Sequence, residues 1–316
     1  GLGGATFGLG PVVFAPGVLQ PRDFAANVTR DIREATGETE LSAHIAWTPK
    51  GLSDESAKAR IAIDKVRTDD ITIEAATSDF ALSGLFPPRT AGPQRILIGR
   101  LDVGVPLTRG ILNVNVLSPE RIEIEIEQFE LFGGDIQAQN ILIEPNRQSF
   151  ATTLSVSGID LASILAFAEF GELSATGTLA GTIPLRYANG ELRVEGGLLE
   201  TVGGGVLKYR PRALDEALKS ADRSTGIAIR ALANFAYETI RIHINEIEAE
   251  QLRLEIFIKG KSLDVFGGLP IEFNIVIEGP IRQIIQDSFA APELPPEFKA
   301  LIKAPDLLPS PPPPKP

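Results

Sequence analysis

The stretch from Ala175 to Tyr209, ATGTLAGTIPLRYANGELRVEGGLLETVGGGVLKY, couples a two-residue apolar period to glycine punctuation. Leu179, Ile183 and Leu185 fall on one side of an extended chain. Asn189-Gly190 supplies the positive φ of a tight hairpin, and Leu192 and Val194 resume the alternation. Helices repeat their apolar face every 3.6 residues, so a chain written with period two folds as short strands.

The same period recurs along most of the chain. Leu41, Ala43, Ile45 and Trp47 share one parity, as do Ile61 with Ile63 and Ile71 with Ile73. Leu101, Val103 and Val105 continue it, and Ile111 to Val116 adds a further strand. The clearest case is Arg121 to Glu127, where Ile122, Ile124 and Ile126 alternate with Glu123, Glu125 and Glu127. Later runs are Ile240, Ile242 and Ile244, then Leu252, Leu254, Ile256 and Ile258, then Ile271, Phe273, Ile275 and Ile277. Such alternation marks antiparallel strands with one dry face and one wet face.

Three segments carry helical spacing instead. Asp160 can cap a helix bearing Leu161, Ile164, Leu165 and Ala168. Leu214, Leu218 and Ala221 mark a second, predicted to run on through Ala228, Leu232 and Phe235, and Ile281, Ile284, Ile285 and Phe289 mark a third after Pro280. These predict helices near 160–169, 212–236 and 280–289. Gly1 to Pro21, rich in glycine and proline, reads as a loop or an irregular strand. A weak repeat, Val105-Pro-Leu107 against Ile183-Pro-Leu185 with a fainter Leu269-Pro-Ile271, suggests serial growth of a sheet. The proline-rich tail cannot join a sheet and is expected to be extended or disordered.

At 316 residues the chain exceeds one ordinary compact domain. Lys and Arg number 30 against 41 Asp and Glu, a formal net charge of −11, which argues against nucleic acid as a partner. Cysteine is absent, so thiolate chemistry and disulfides are excluded; methionine is absent even at position 1, which predicts a processed product or a fragment. No apolar window is long enough for a membrane-spanning helix.

No constellation for catalysis, a metal or a cofactor is visible. The two histidines, His44 and His243, sit on separate predicted strands and read as solvent-facing. Glu123, Glu125 and Glu127 lie about 7 Å apart on one strand face, the ordinary wet side of a sheet. What remains is the apolar face. Ile, Leu and Val dominate it and aromatics are only 6%, which suits a smooth acyl-chain groove; a sandwich with two faces packed shut is the alternative.

The order of parts from about Ala138 to Phe289 resembles the YdbH-like family of AsmA-like bacterial envelope proteins. The parts are the apolar helix LASILAFAEF after Asp160, GTLAGTIPLR, NGELRVEGGLLE, GGGVLKY, an alanine-rich helix and the final alternating strands. The resemblance implies a mainly β fold: an elongated, curved antiparallel sheet forming an apolar groove, with a few short helices as plugs or caps. It implies residues 1–137 as the N-terminal part of that groove, 138–290 as the family's C-terminal region and 291–316 as a tail.

The implied activity is carriage of phospholipid between the inner and outer membranes, in the periplasm of a diderm bacterium. The groove lining is then Ile122, Ile124 and Ile126; Ile183, Leu185, Leu192 and Val194; and the three late runs from Ile240 to Ile277. Implied partners are the phospholipid acyl chains, the inner membrane through an anchor upstream, and a small outer-membrane lipoprotein of the YnbE type. That lipoprotein would add a strand at Ile271, Phe273, Ile275 and Ile277. The competing reading is a structural scaffold of the envelope with a closed core.

Overall fold

A computed structural model describes residues 2–280 except 22, 24–31, 70, 146, 148, 168–171, 189–190, 211–222, 249–250 and 265. Hydrogen bonding joins seventeen strands in an antiparallel sheet that is not closed, with few helices. The chain divides into two compact units, Gly1–Val156 with Pro184–Arg193, and Ser157–Ile183 with the chain from Val194 on.

In the first unit, β1 (Gly3–Phe14), β2 (Glu34–Thr48), β3 (Gly51–Arg67) and β4 (Thr72–Leu82) pair in chain order. After a small separate hairpin, β5 (Gly84–Leu85) with β6 (Pro88–Arg89), the ladder resumes. It runs through β7 (Gln94–Asp102), β8 (Pro106–Ser118), β9 (Arg121–Leu131) and β10 (Gly134–Ile143). β11 (Phe150–Asp160) and β13 (Thr178–Ala188) each contribute residues to both units.

One crease crosses four of these strands. Pairing is interrupted at Asp64 in β3, Ala75 in β4, Gly99 in β7 and Arg109 in β8, and it resumes in the same register on either side. Ala75 and Arg109 have φ of 53° and 52°, the left-handed region that breaks a strand's pleat. Apolar spacing slips from two to three across this row, from Ile63 to Val66, Ile73 to Ala76, Ile98 to Leu101 and Leu107 to Gly110. Because the four strands slip together, none loses its partner.

The second unit begins with α1 (Leu161–Phe167), capped as its sequence predicts: Asp160 Oδ2 accepts the Ser163 N–H at 2.9 Å and the Ser163 hydroxyl at 2.7 Å. β13 pairs β15 (Gly197–Thr201), β15 pairs β17 (Phe235–Glu248), and β18 (Gln251–Ser262) and β19 (Pro270–Pro280) follow. β12 (Leu173–Ala175) and β16 (Gly205–Tyr209) complete the other end of β17. α2 (Arg223–Leu232) lies beside β16 and β18, a single 3-10 turn at Phe266–Gly268 joins β18 to β19, and β14 (Glu191–Val194) contributes residues to both units.

Of the two readings of the first residues, loop or irregular strand, residues 3–14 take the second, with a register shift between Leu9 and Val12. Three other expectations change in detail. Val103 and Val105 lie in the turn between β7 and β8, because Val103 N–H bonds back to the Val105 carbonyl at 3.3 Å. The second helix ends at Leu232, and Phe235 instead opens β17, fully buried, since Phe235, Tyr237 and Ile240 satisfy the sheet rather than the helix face. The proposed repeat does not recur in structure: Pro106 and Pro270 open strands whereas Pro184 sits inside β13. Asn189-Gly190, Ala168 of the first helix, residues 212–222 of the second, residues 281–289 of the third and the tail lie outside the described residues.

Candidate functional site

The second unit aligns its apolar side chains in three rows that cross the strands. Leu179 pairs Thr201 in β15, whose hydroxyl accepts the Ile240 N–H at 3.0 Å, and Ile240, Ile258 and Phe273 continue across β17, β18 and β19. The next row is Gly181, Leu199, Ile242, Ile256 and Ile275. The third is Gly197, Ile244, Leu254 and Ile277, with Ile183 beside Gly197.

Burial grades along the strands. Leu179, Ile240, Ile258 and Phe273 are 1%, 4%, 5% and 6% exposed, while Ile242, Ile244, Leu254, Ile256, Ile275 and Ile277 are only half-buried. The first row is therefore a floor, fixed further by the edge-on contact of Phe273 with Phe235 at 5.3 Å between ring centres. The second and third rows leave apolar surface open.

The first unit presents a comparable face. Ile96, Leu112, Ile126 and Ala138 form one row, Val114, Ile124 and Ile141 the next, and Val116, Ile122 and Ile143 a third. Toward β1 the rows thin to Leu9, Leu41, Ala59 and Phe80, and to Phe7, Ala43, Ala57 and Leu82. Phe7, Leu9 and Leu41 are exposed.

Charges occupy the other side. Glu123, Glu125 and Glu127 accept hydrogen bonds from Asn115, Asn113 and Arg95, the last at 3.2 Å. Glu200 accepts from the Thr239 hydroxyl at 2.9 Å and from Arg241 at 3.2 Å; the hydroxyl first, and then the guanidinium, hold its carboxyl below the ordinary range. His243 is exposed opposite Glu255, and His44 Nδ1 lies 3.0 Å from the Thr6 hydroxyl. Among the described residues no three His, Asp or Glu side chains gather as a metal site, and no helix is long and apolar enough to cross a membrane.

The structure thus assembles the expected residues as two groups. Ile122, Ile124, Ile126 and half-buried Leu185 belong to the first unit; Ile183, Val194 and the late runs belong to the second. Leu192 lies in β14, and its side chain is outside the described residues. The sequence reading missed Phe7 and Leu9, because glycine content masked the alternation of Ala5, Phe7 and Leu9, and it missed Leu199, whose single β15 turn of alternation is too short to register.

A family model described as YdbH-like, intermembrane phospholipid transport protein YdbH, matches residues 2–290. No curated protein and no solved structure gives a significant match.

Proposed function

The chain belongs to the YdbH-like family of intermembrane phospholipid transport proteins, and we propose that it carries phospholipid with the acyl chains laid on its apolar strand faces and the headgroups turned to water. The observation behind this reading is the second unit's graded face: a buried floor at Ile240, Ile258 and Phe273, then two rows left half-open. A core packed shut would bury all three rows alike.

The energetic need is plain. Moving a lipid with about 30 acyl CH₂ groups through water costs roughly 24 kcal/mol at about 0.8 kcal/mol each. A surface that stays apolar along the route removes most of that barrier with no catalytic group, so the activity is transport rather than turnover. The setting is the periplasm, between the inner and outer membranes.

β19 pairs only β18 among the described strands, so its outer backbone edge is where a small outer-membrane lipoprotein of the YnbE type would add a strand. An anchor upstream of this chain would hold the inner membrane. The chain lacks cysteine, so Asn274→Cys on β19 gives a clean disulfide-trapping probe for that partner.

The deciding experiment is native mass spectrometry with lipid extraction on protein purified without detergent. Bound phospholipid is expected. Protein that carries none, and that also ignores a fluorescent acyl probe, would instead be a closed envelope scaffold.

A further inference from the structure

Exposed apolar groups converge at one end of the first unit's strands. Trp47, near the end of β2, pairs Leu52 at the start of β3, and the two are 44% and 55% exposed. The β5–β6 hairpin is brought to the same end, since Glu55 Oε1 accepts the Phe86 N–H at 3.3 Å, and Phe86 at its tip is 72% exposed. Gly3 opposes Trp47 in β1, where any side chain would overlap the indole, so the ring is laid over bare backbone.

These groups continue the face already described. Trp47, Ile45, Ala43 and Leu41 share one parity of β2 and run from this end into the Leu41 row. Exposed aromatic and aliphatic side chains on hairpin ends suit the boundary between lipid headgroups and acyl chains, where an indole keeps its N–H in the polar layer while its ring is apolar. Lys50, in the turn between β2 and β3, lies between Trp47 and Leu52 in the chain and adds a cation of the kind that suits lipid phosphates.

We propose that Trp47, Leu52 and Phe86 form a lip that inserts into a bilayer surface and passes an acyl chain onto the β2 face. The occupant is a lipid surface because the lip opens onto the face assigned to acyl chains. This proposal rests on the transport reading above but is separable from it.

Trp47 is the chain's sole tryptophan, so its emission reports this lip alone. The test mixes protein with vesicles of phosphatidylethanolamine and phosphatidylcholine containing acyl-brominated phosphatidylcholine, and follows flotation together with Trp47 fluorescence. Co-flotation, a blue shift and bromine quenching are expected. The double variant L52D/F86D should lose at least tenfold in vesicle affinity with an unchanged melting curve, whereas L198D, on an exposed position of the second unit, should bind as the parent does. Absence of flotation with unchanged emission overturns the lip, as does equal loss in L198D. If protein that fails to float still co-purifies with phospholipid, the lip falls and the transport reading stands; if it floats but extracts no lipid, transport falls and the lip is a membrane anchor point.

Discussion

The Tyr237 hydroxyl donates a hydrogen bond to the Thr176 carbonyl across the gap between β12 and β13. Two glycines make room for it: a Cβ at Gly177 would overlap the hydroxyl oxygen, and one at Gly205 would overlap the hydroxyl and the ring. β15 and β16 are interrupted at residues 202–204, beside the irregular register of β17 between Tyr237 and Thr239. One phenol therefore pins the place where neighbouring strands of the second unit break.

Tyr237→Phe should cost about 1 kcal/mol, the net value of one hydrogen bond. Gly177→Ala should cost about 1 to 3 kcal/mol from overlap, and more from its φ of 112°. Since the overlap at Gly177 is with the hydroxyl, the double variant should lose less than the sum. Urea unfolding of the four proteins measures that coupling, and strict additivity would separate the two residues.

Asp160 makes the start of α1 sensitive to acid. The Ser163 hydroxyl, and then the Ser163 N–H, hold its carboxyl below the usual aspartate value. A carboxylate lowered in the folded state stabilises above its unfolded value near 4, and that contribution disappears as pH falls through the folded value. Asp160→Ala should cost about 1 kcal/mol at neutral pH, and the gap to the parent should close below about pH 4. Asp160→Asn should keep most of the cap and show no such closure, which urea midpoints against pH would reveal.

At the alkaline end the sign reverses. Burial, with the Glu172 charge adding to it, pushes the Tyr209 phenol up to about 12. The unfolded phenol ionises near 10, so Tyr209 favours the folded state fully below that and its contribution is lost as pH rises toward 12. Phenolate absorbance should show one tyrosine titrating at about 12, and Tyr209→Phe should remove that step and flatten the fall in urea midpoint.

Sequence period located the strands whose two faces differ most in chemistry. Ile122 to Glu127 alternates greasy and charged residues without interruption, and Leu252 to Ile256 does so until Phe257, so period two alone identifies each strand and its dry side. The crease was hidden because Ala75 and Arg109 are ordinary residues at a left-handed φ, and the spacing of three from Ile73 to Ala76 reads as the end of one strand. Phe235 reads as helical in the sequence because Ala228, Leu232 and Phe235 fit a helical stripe as well as Phe235 and Tyr237 fit a strand. Which rows close and which stay half-open depends on what each row packs against, and a single strand's period does not contain that.

The graded face of the second unit makes its two outcomes separable by neighbouring substitutions. Ile240 and Ile256 lie on β17 and β18 in adjacent rows, but Ile240 is 4% exposed and Ile256 is half-buried. Ile240→Asp places a carboxylate in the floor with no partner, a cost on the order of 4 kcal/mol, and should unfold or strongly destabilise the unit. Ile256→Asp leaves its carboxylate within reach of water and should cost about 1 to 2 kcal/mol by lost apolar burial. If acyl chains lie on the half-open rows, Ile256→Asp should sharply weaken phospholipid retention while circular dichroism and the cooperative melt persist, because an acyl chain laid over the carboxylate would strip its water at a cost of about 4 kcal/mol. A folded Ile256→Asp protein that still retains lipid would place the acyl chains elsewhere, and an unfolded one would show that the second row is core.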